Sequence, residues 1–316
     1  MTFKWIAVAA LLATPALAAD APPKVSPGEI VAAAPASEWV AIAPEDLLVM
    51  ALAPDAAGKP RRVVIQLIPP PFSEPWVANI RTLAKAHWWD GLAIVRSQDN
   101  YVVQWGDPDG EDANKARPLP AGLIGTSVGS YTVEVKNEDP LKLLRFPDNY
   151  APSAAIHDGW PIGVKWSNVH SWNYEAWPVH CYGTVGVGRG LSPDAGTGAE
   201  LYTVIGHAPR HLDRNIAVVG RVIEGIEHLS TLPRGTEALG FYATPAERTP
   251  IVSIRLASEL PGAEQPKFEF LSTESASFAR YAEARANRRD EFFIVPAGGA
   301  DVCNIPVPVR RAPASN

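Results

Sequence analysis

A chain of 316 residues, 47% hydrophobic and 20% charged, holds enough apolar material for a sizeable core in one large domain or two. Its net charge of −6 argues against nucleic acid as a partner, because that binding needs a basic surface to displace counterions. With 31 prolines and 24 glycines against 2 methionines, the composition favours a loop-rich, β-containing fold over a helical bundle.

The opening segment, MTFKWIAVAALLATPALA, has a basic Lys4, an apolar run over 5–13 and a small-residue ending at Ala16-Leu17-Ala18. This pattern predicts a signal peptide cut near Ala18, so 1–18 is set apart from the fold and the expected location is periplasmic or secreted. The apolar run is too short for a membrane span, which takes about 20 residues, and no later stretch qualifies. Residues 19–60 read as an N-terminal extension: 19–37 Pro/Ala-rich and expected to be extended or mobile, 39–53 an added strand or short helix.

The main fold is expected over 61–258. RVVIQLI at 62–68 predicts a strand from its β-branched residues. Ser73-Glu74-Pro75 are helix-start signals, and Val77, Ile80, Leu83 and Ala84 share one helical face. The turn WWDG at 88–91 leads into a strand ending at Arg96. In RSQDNYVVQWGDPDG at 96–110, Arg96 and Gln104 then stand eight residues apart on either side of an apolar Tyr101-Val102-Val103 run. Residues 111–182, with Trp160, Trp166, Trp172 and Trp177, predict an ordered insertion that contacts substrate proteins or braces the fold. Strand patterns resume in GTVGVGR at 183–189 and ELYTVI at 200–205. Val222, Ile226 and Leu229 predict a second helix, and 249–256 a closing strand. The C-terminal extension, 259–316, carries a charged amphipathic helix over 273–289, with Ser272 as cap and a solvated face packing outside the main fold, and then an extended tail.

In this order, Trp89-Asp90-Gly91, Arg96, the segment from Tyr101 through Gln104, Gly106 and Asp107, Gly183, Glu200-Leu201-Tyr202, and His211-Leu212-Asp213 followed by Val219-Gly220 resemble the cyclophilin family of peptidyl-prolyl isomerases. The resemblance covers roughly 62–256, interrupted by the insertion. It implies a mainly β fold, a closed eight-stranded antiparallel barrel with two capping helices and no exposed sheet edge. It also implies proline-containing polypeptide substrates. The X-Pro bond resists rotation by roughly 18–20 kcal/mol because amide resonance opposes twisting. No bond is made or broken, so the chemistry calls for neither metal nor cofactor. It calls for an apolar pocket and a fixed donor near the imide nitrogen, and Arg96 suits the latter. The resemblance assigns Gln104 to the substrate backbone, Tyr101, Val102, Tyr202 and Leu212 to the proline pocket, and His211 to its rim.

The chain departs from the family pattern at several positions. Val95 stands where histidine is usual, Trp105 where glycine is, and Ile216 where a histidine often is. His211 replaces a tryptophan that contacts cyclosporin-type inhibitors, so weak binding of such drugs is expected. The usual Ser-Gln-Phe-Phe run is Ala199-Glu200-Leu201-Tyr202. Glu200, counted among the substrate-binding residues, is expected near Arg96, where it either pairs with the guanidinium and restrains it or leaves it free, and Tyr202 adds a hydroxyl to the pocket floor. These departures raise an alternative, a catalytically weak peptide-binding or chaperone module.

Other motifs favour plainer explanations. GTVGVGRG lacks the Lys-Ser/Thr of a phosphate-binding loop. His170, Glu175, His180 and Cys181 match no familiar zinc spacing. The two cysteines, Cys181 and Cys303, either form one disulfide or remain buried thiols; spacing does not decide between them. Oligomeric state has no signature in the sequence.

Overall fold

The computed structural model describes residues 25–136, 144–167 and 173–313; the expected signal peptide, His170 and Trp172 lie outside the described residues. In chain order the elements are α1 (Pro27–Ala32), β1 (Trp39–Ala41), β2 (Leu47–Leu52), β3 (Arg61–Leu67), α2 (Glu74–Lys85), β4 (Ala93–Ser97), β5 (Val102–Gly106), β6 (Val133–Val135), β7 (Leu144–Phe146), β8 (Ser153–His157), β9 (Trp160–Trp166), β10 (Tyr174–Pro178), β11 (Thr184–Val187), β12 (Leu201–Val204), β13 (Val218–Glu224), α3 (Glu227–Ser230), β14 (Thr249–Leu256), β15 (Phe268–Leu271), α4 (Ala276–Ala286) and β16 (Val309–Arg311).

Eight of these strands close an antiparallel barrel in the order β11-β12-β5-β4-β14-β2-β3-β13, with β13 pairing back onto β11. The closed barrel expected from the resemblance is therefore present. One stave comes from outside the expected bounds of the main fold. Leu47–Leu52, expected in an extension outside the main fold, lies between β14 and β3 and completes the closure. The stretch reads as a continuous apolar run because both of its faces are buried. Leu48, Met50 and Leu52 join the main core, while Leu47 and Val49 pack outward on Val64, Ala257 and Phe268.

Helix α2 forms where its periodicity predicts and buries Trp76, Val77, Ile80, Leu83 and Ala84. Ser73 does not cap it; that residue is left-handed, with φ of 49°, and its hydroxyl makes no cap bond. The second capping helix is only one turn, α3. Val222 satisfies helical spacing with Ile226 but belongs to β13, where pairing with β3 outweighs the local period. The WWDG turn is fixed by Trp89 Nε1 donating to Ala199 O at 2.8 Å and by a two-pronged ion pair between Arg255 and Asp90. That guanidinium holds the Asp90 carboxyl below its ordinary value.

The insertion forms a five-stranded antiparallel sheet, order β6-β10-β9-β8-β7. Its strands alternate between two buried faces. Ala155, Ile162, Val164, Tyr174 and Ala176 pack with the barrel, while Ala154, Ile156 and Trp177 pack with Phe278 and Tyr281 of α4. The C-terminal helix thus covers the insertion rather than the barrel. It starts after Ser275, whose hydroxyl accepts from Phe278 N, and not after Ser272. The segment expected to be extended or mobile contains α1, started by a capping box between Ser26 and Glu29 and packed against α4. Strand β1 from one end of the chain and β16 from the other flank β15 in a three-stranded sheet. Among the described residues, no helix is long and apolar enough to cross a membrane.

Cys181 and Cys303 are joined, with Cα atoms 5.2 Å apart across a sequence separation of 122. The bond ties the end of the insertion to the C-terminal tail. A loop of that length predicts a stabilisation of about 4–5 kcal/mol through the unfolded chain. Urea unfolding of the C181S/C303S double variant should show a loss of that order, and reducing agent should destabilise the wild type but not the variant.

Candidate functional site

Strands β4 and β5 are joined by a tight turn in which Gln98 N bonds to Val102 O and Asn100 adopts a positive φ of 49°. A register shift after Ile94 sets Arg96 opposite Gln104, and β5 in turn sets Gln104 opposite Tyr202 of β12. Three polar or aromatic side chains thereby stand in one cross-strand row over three neighbouring strands.

The half-buried Arg96 guanidinium is gripped on several sides. Its Nε donates to Leu239 O at 2.6 Å, Nη1 to Gln104 Oε1 at 3.0 Å, and Nη2 to Gln98 Oε1. Its Cζ lies 5.7 Å from the Tyr101 ring centroid and 5.4 Å from that of Phe241. Five N–H groups less the three so engaged leave two for a further acceptor. Burial holds the guanidinium below its ordinary value, yet it stays a cation.

Of the two arrangements open to Glu200, the structure holds the one without an ion pair to Arg96. The Glu200 Oε1 accepts the amide of Gln104, whose Oε1 faces the arginine. The result is a relay, Arg96 to Gln104 to Glu200, in which a cation and a carboxyl on opposite sides fix the orientation of the amide. Gly188 makes room for the carboxyl, since a Cβ there would stand 2.8 Å from Glu200 Cγ. Burial pushes the Glu200 carboxyl above its ordinary value, against the lowering pull of the Gln104 amide.

The apolar wall beside this row consists of Val102, Tyr202 and Val204, with Tyr101, Leu212 and Ile216 packed against them. His211 is exposed and stacks on Tyr101, ring centroids 6.2 Å apart and planes within 6°. Every residue assigned to the site from the sequence thus falls within one neighbourhood. The Tyr202 hydroxyl differs from expectation: it meets His180 at 2.7 Å, on a residue 0% exposed. Near it, Cys181 is in the disulfide and both His180 ring nitrogens have protein partners.

Sequence reasoning missed Gln98, the Leu239 carbonyl, Phe241, Val204 and His180. Leu239 and Phe241 lie more than a hundred residues beyond Arg96 and are brought to it by an isolated bridge between Arg96 and Phe241. Only Gln98, two residues from Arg96 in a turn of polar residues, carried a local signal.

The raised Glu200 carboxyl has a consequence for stability. Its folded-state value exceeds the unfolded one, so its contribution is fully present below the ordinary 4.5 and is lost as pH rises through the raised value. Thermal melts should show E200Q more stable than wild type at neutral pH, with the gap closing in acid.

The cyclophilin type peptidyl-prolyl cis-trans isomerase/CLD family model matches residues 64–256. Among solved structures, cyclophilin AquaCyp293 from Hirschia baltica superposes with a TM-score of 0.65 at 19% identity, over 90% of this chain and 96% of that one. That likeness shows the fold, and it extends beyond the barrel. A cyclophilin type peptidyl-prolyl cis-trans isomerase from Cryptosporidium parvum matches at a TM-score of 0.37 and 12% identity, over 67% of this chain and 96% of that one. The search of curated proteins gave no match. With the family model spanning more than half of its length, the chain belongs to the cyclophilin-type peptidyl-prolyl cis-trans isomerases.

Proposed function

We propose that this isomerase lowers the X-Pro rotation barrier through Arg96, acting on proline-containing segments of exported proteins. The proline ring enters the apolar wall of Tyr101, Val102, Tyr202 and Leu212, with His211 at the rim. As the bond twists, the imide nitrogen pyramidalises and its lone pair leaves resonance. The two unengaged N–H groups of Arg96 are suited to meet that lone pair. Because the lone pair becomes available only in the twisted state, the interaction favours the transition state over either isomer. Gln104, oriented between Arg96 and Glu200, offers its remaining amide hydrogen and carbonyl lone pair to the substrate backbone.

The observation that carries this reading is the Arg96–Gln104–Glu200 relay. The alternative, a weak peptide-binding module, draws on Glu200 and on Val95. The Glu200 carboxyl takes the Gln104 amide, and this supports a cation that keeps free donors.

Export rests on the N-terminal pattern and is supported by the disulfide, a bond that persists in oxidising compartments. There, X-Pro isomerisation limits the folding of many chains.

Two experiments test these proposals. In a protease-coupled assay on an X-Pro peptide, R96A should lose about a hundredfold or more in kcat, with KM little changed. Equal turnover by R96A and wild type would remove Arg96 from the mechanism. For export, N-terminal sequencing of the protein recovered from the extracytoplasmic fraction should begin at residue 19. Recovery of full-length chain from the cytoplasm alone would overturn it.

A further inference from the structure

A buried polar chain runs from the proline-pocket wall into the insertion, and isomerisation by Arg96 makes no direct use of it. Tyr202, 4% exposed, meets His180 Nε2 through its hydroxyl at 2.7 Å, with the two ring planes within 10°. His180 Nδ1 lies 2.9 Å from Asp213 Oδ1, and the same oxygen accepts the His180 backbone N–H. Asp213 Oδ2 accepts from Arg210 Nε at 2.6 Å, and Arg210 grips Asp148 with both terminal nitrogens, at 2.7 and 3.1 Å. The side chains of His180, Asp213, Arg210 and Asp148 are all at most 3% exposed.

In a neutral imidazole, a carboxylate facing Nδ1 takes the proton there and leaves Nε2 as the acceptor. Tyr202 is therefore the donor, and burial pushes its phenol well above the ordinary value, so the proton stays on the oxygen. The ring lies in a slot that Gly186 opens, since a Cβ at that glycine would stand 2.4 Å from the Tyr202 hydroxyl and ring. His180 is braced on its C-terminal side, because its neighbour Cys181 is in the disulfide with Cys303. The ring that Gln104 faces across β5 and β12 is thus held at its far end by a histidine on a separately braced segment.

We propose that His180 is a positioning residue for X-Pro isomerisation: oriented by Asp213, it holds the Tyr202 hydroxyl so that the ring is a fixed wall of the proline pocket. The proposal rests on the isomerase reading of the Arg96 site. The wall touches the proline ring in the cis, trans and twisted states alike. Loosening it therefore weakens binding uniformly and appears in KM, whereas loss of Arg96 appears in kcat. Arg210 and Asp148 extend the same hold further into the insertion, which thereby supports the pocket through Asp213.

The test is a double-mutant cycle in the protease-coupled assay. Y202F, which removes one oxygen, should raise KM about fivefold with kcat near the wild-type value. H180L should do the same in the wild-type background and add nothing further in the Y202F background. H180Q, whose side-chain carbonyl can accept the same hydroxyl, should recover most of the loss. A hydrogen-bonded Tyr202 hydroxyl should also give a slowly exchanging low-field proton resonance that is absent in H180L and in Y202F. An unchanged KM in Y202F, or an H180L penalty of equal size in both backgrounds, overturns the proposal and leaves His180 a structural residue. If H180L does not fold, Y202F, H180Q and the proton resonance decide alone. A wild type without turnover would remove the isomerase reading, while calorimetric peptide binding by the same variants would still report on the wall.

Discussion

A sheet that closes on itself leaves no strand edge unpaired, and every other layer of this protein is assembled on that closed surface. Closure depends on Leu47–Leu52, the stave that joins β14 to β3 and carries apolar side chains on both faces. Its inner face fills the barrel and its outer face meets Phe268 and Ala257, so one strand seals the core and seeds the terminal sheet. The insertion then covers a second part of the barrel, and α4 covers the insertion. The chain's two ends meet in β1, β15 and β16, with the disulfide pinning the tail to the segment beneath it. Arg96 and Gln104 lie on adjacent barrel strands, so the precision of their separation is inherited from the barrel's hydrogen-bond register.

How much of this was legible depended on whether a feature is written locally. The alternation and spacing of Arg96, Tyr101, Val102 and Gln104 survive into the structure because a short hairpin enforces them. Helix α2 survives because Val77, Ile80, Leu83 and Ala84 form a long enough stripe. Val222 misled because three apolar residues at helical spacing fit equally well on a strand followed by one helical turn. The span containing β2 looked peripheral because it lies before the β-branched run that announced the barrel.

The site was legible in its outline and not in its wiring. That Glu200 lies near Arg96 follows from the pattern, but its choice of Gln104 depends on the register of three strands and on the space above Gly188. The carbonyl of Leu239 and the ring of Phe241 reach Arg96 from a loop with no recognisable motif. His180 was visible only as a possible metal ligand, because the partners that define it, Tyr202 and Asp213, are more than twenty residues away.

The alternating glycines of GTVGVGRG, which at first suggest a phosphate loop, are a mould for the neighbouring strand. Gly186 leaves the space that the Tyr202 ring fills, and Gly188 the space that the Glu200 side chain fills. Each pair is one volume shared between two positions. In this chain, a side chain gained at one member of a pair displaces the group at its partner, so the two positions are coupled in volume.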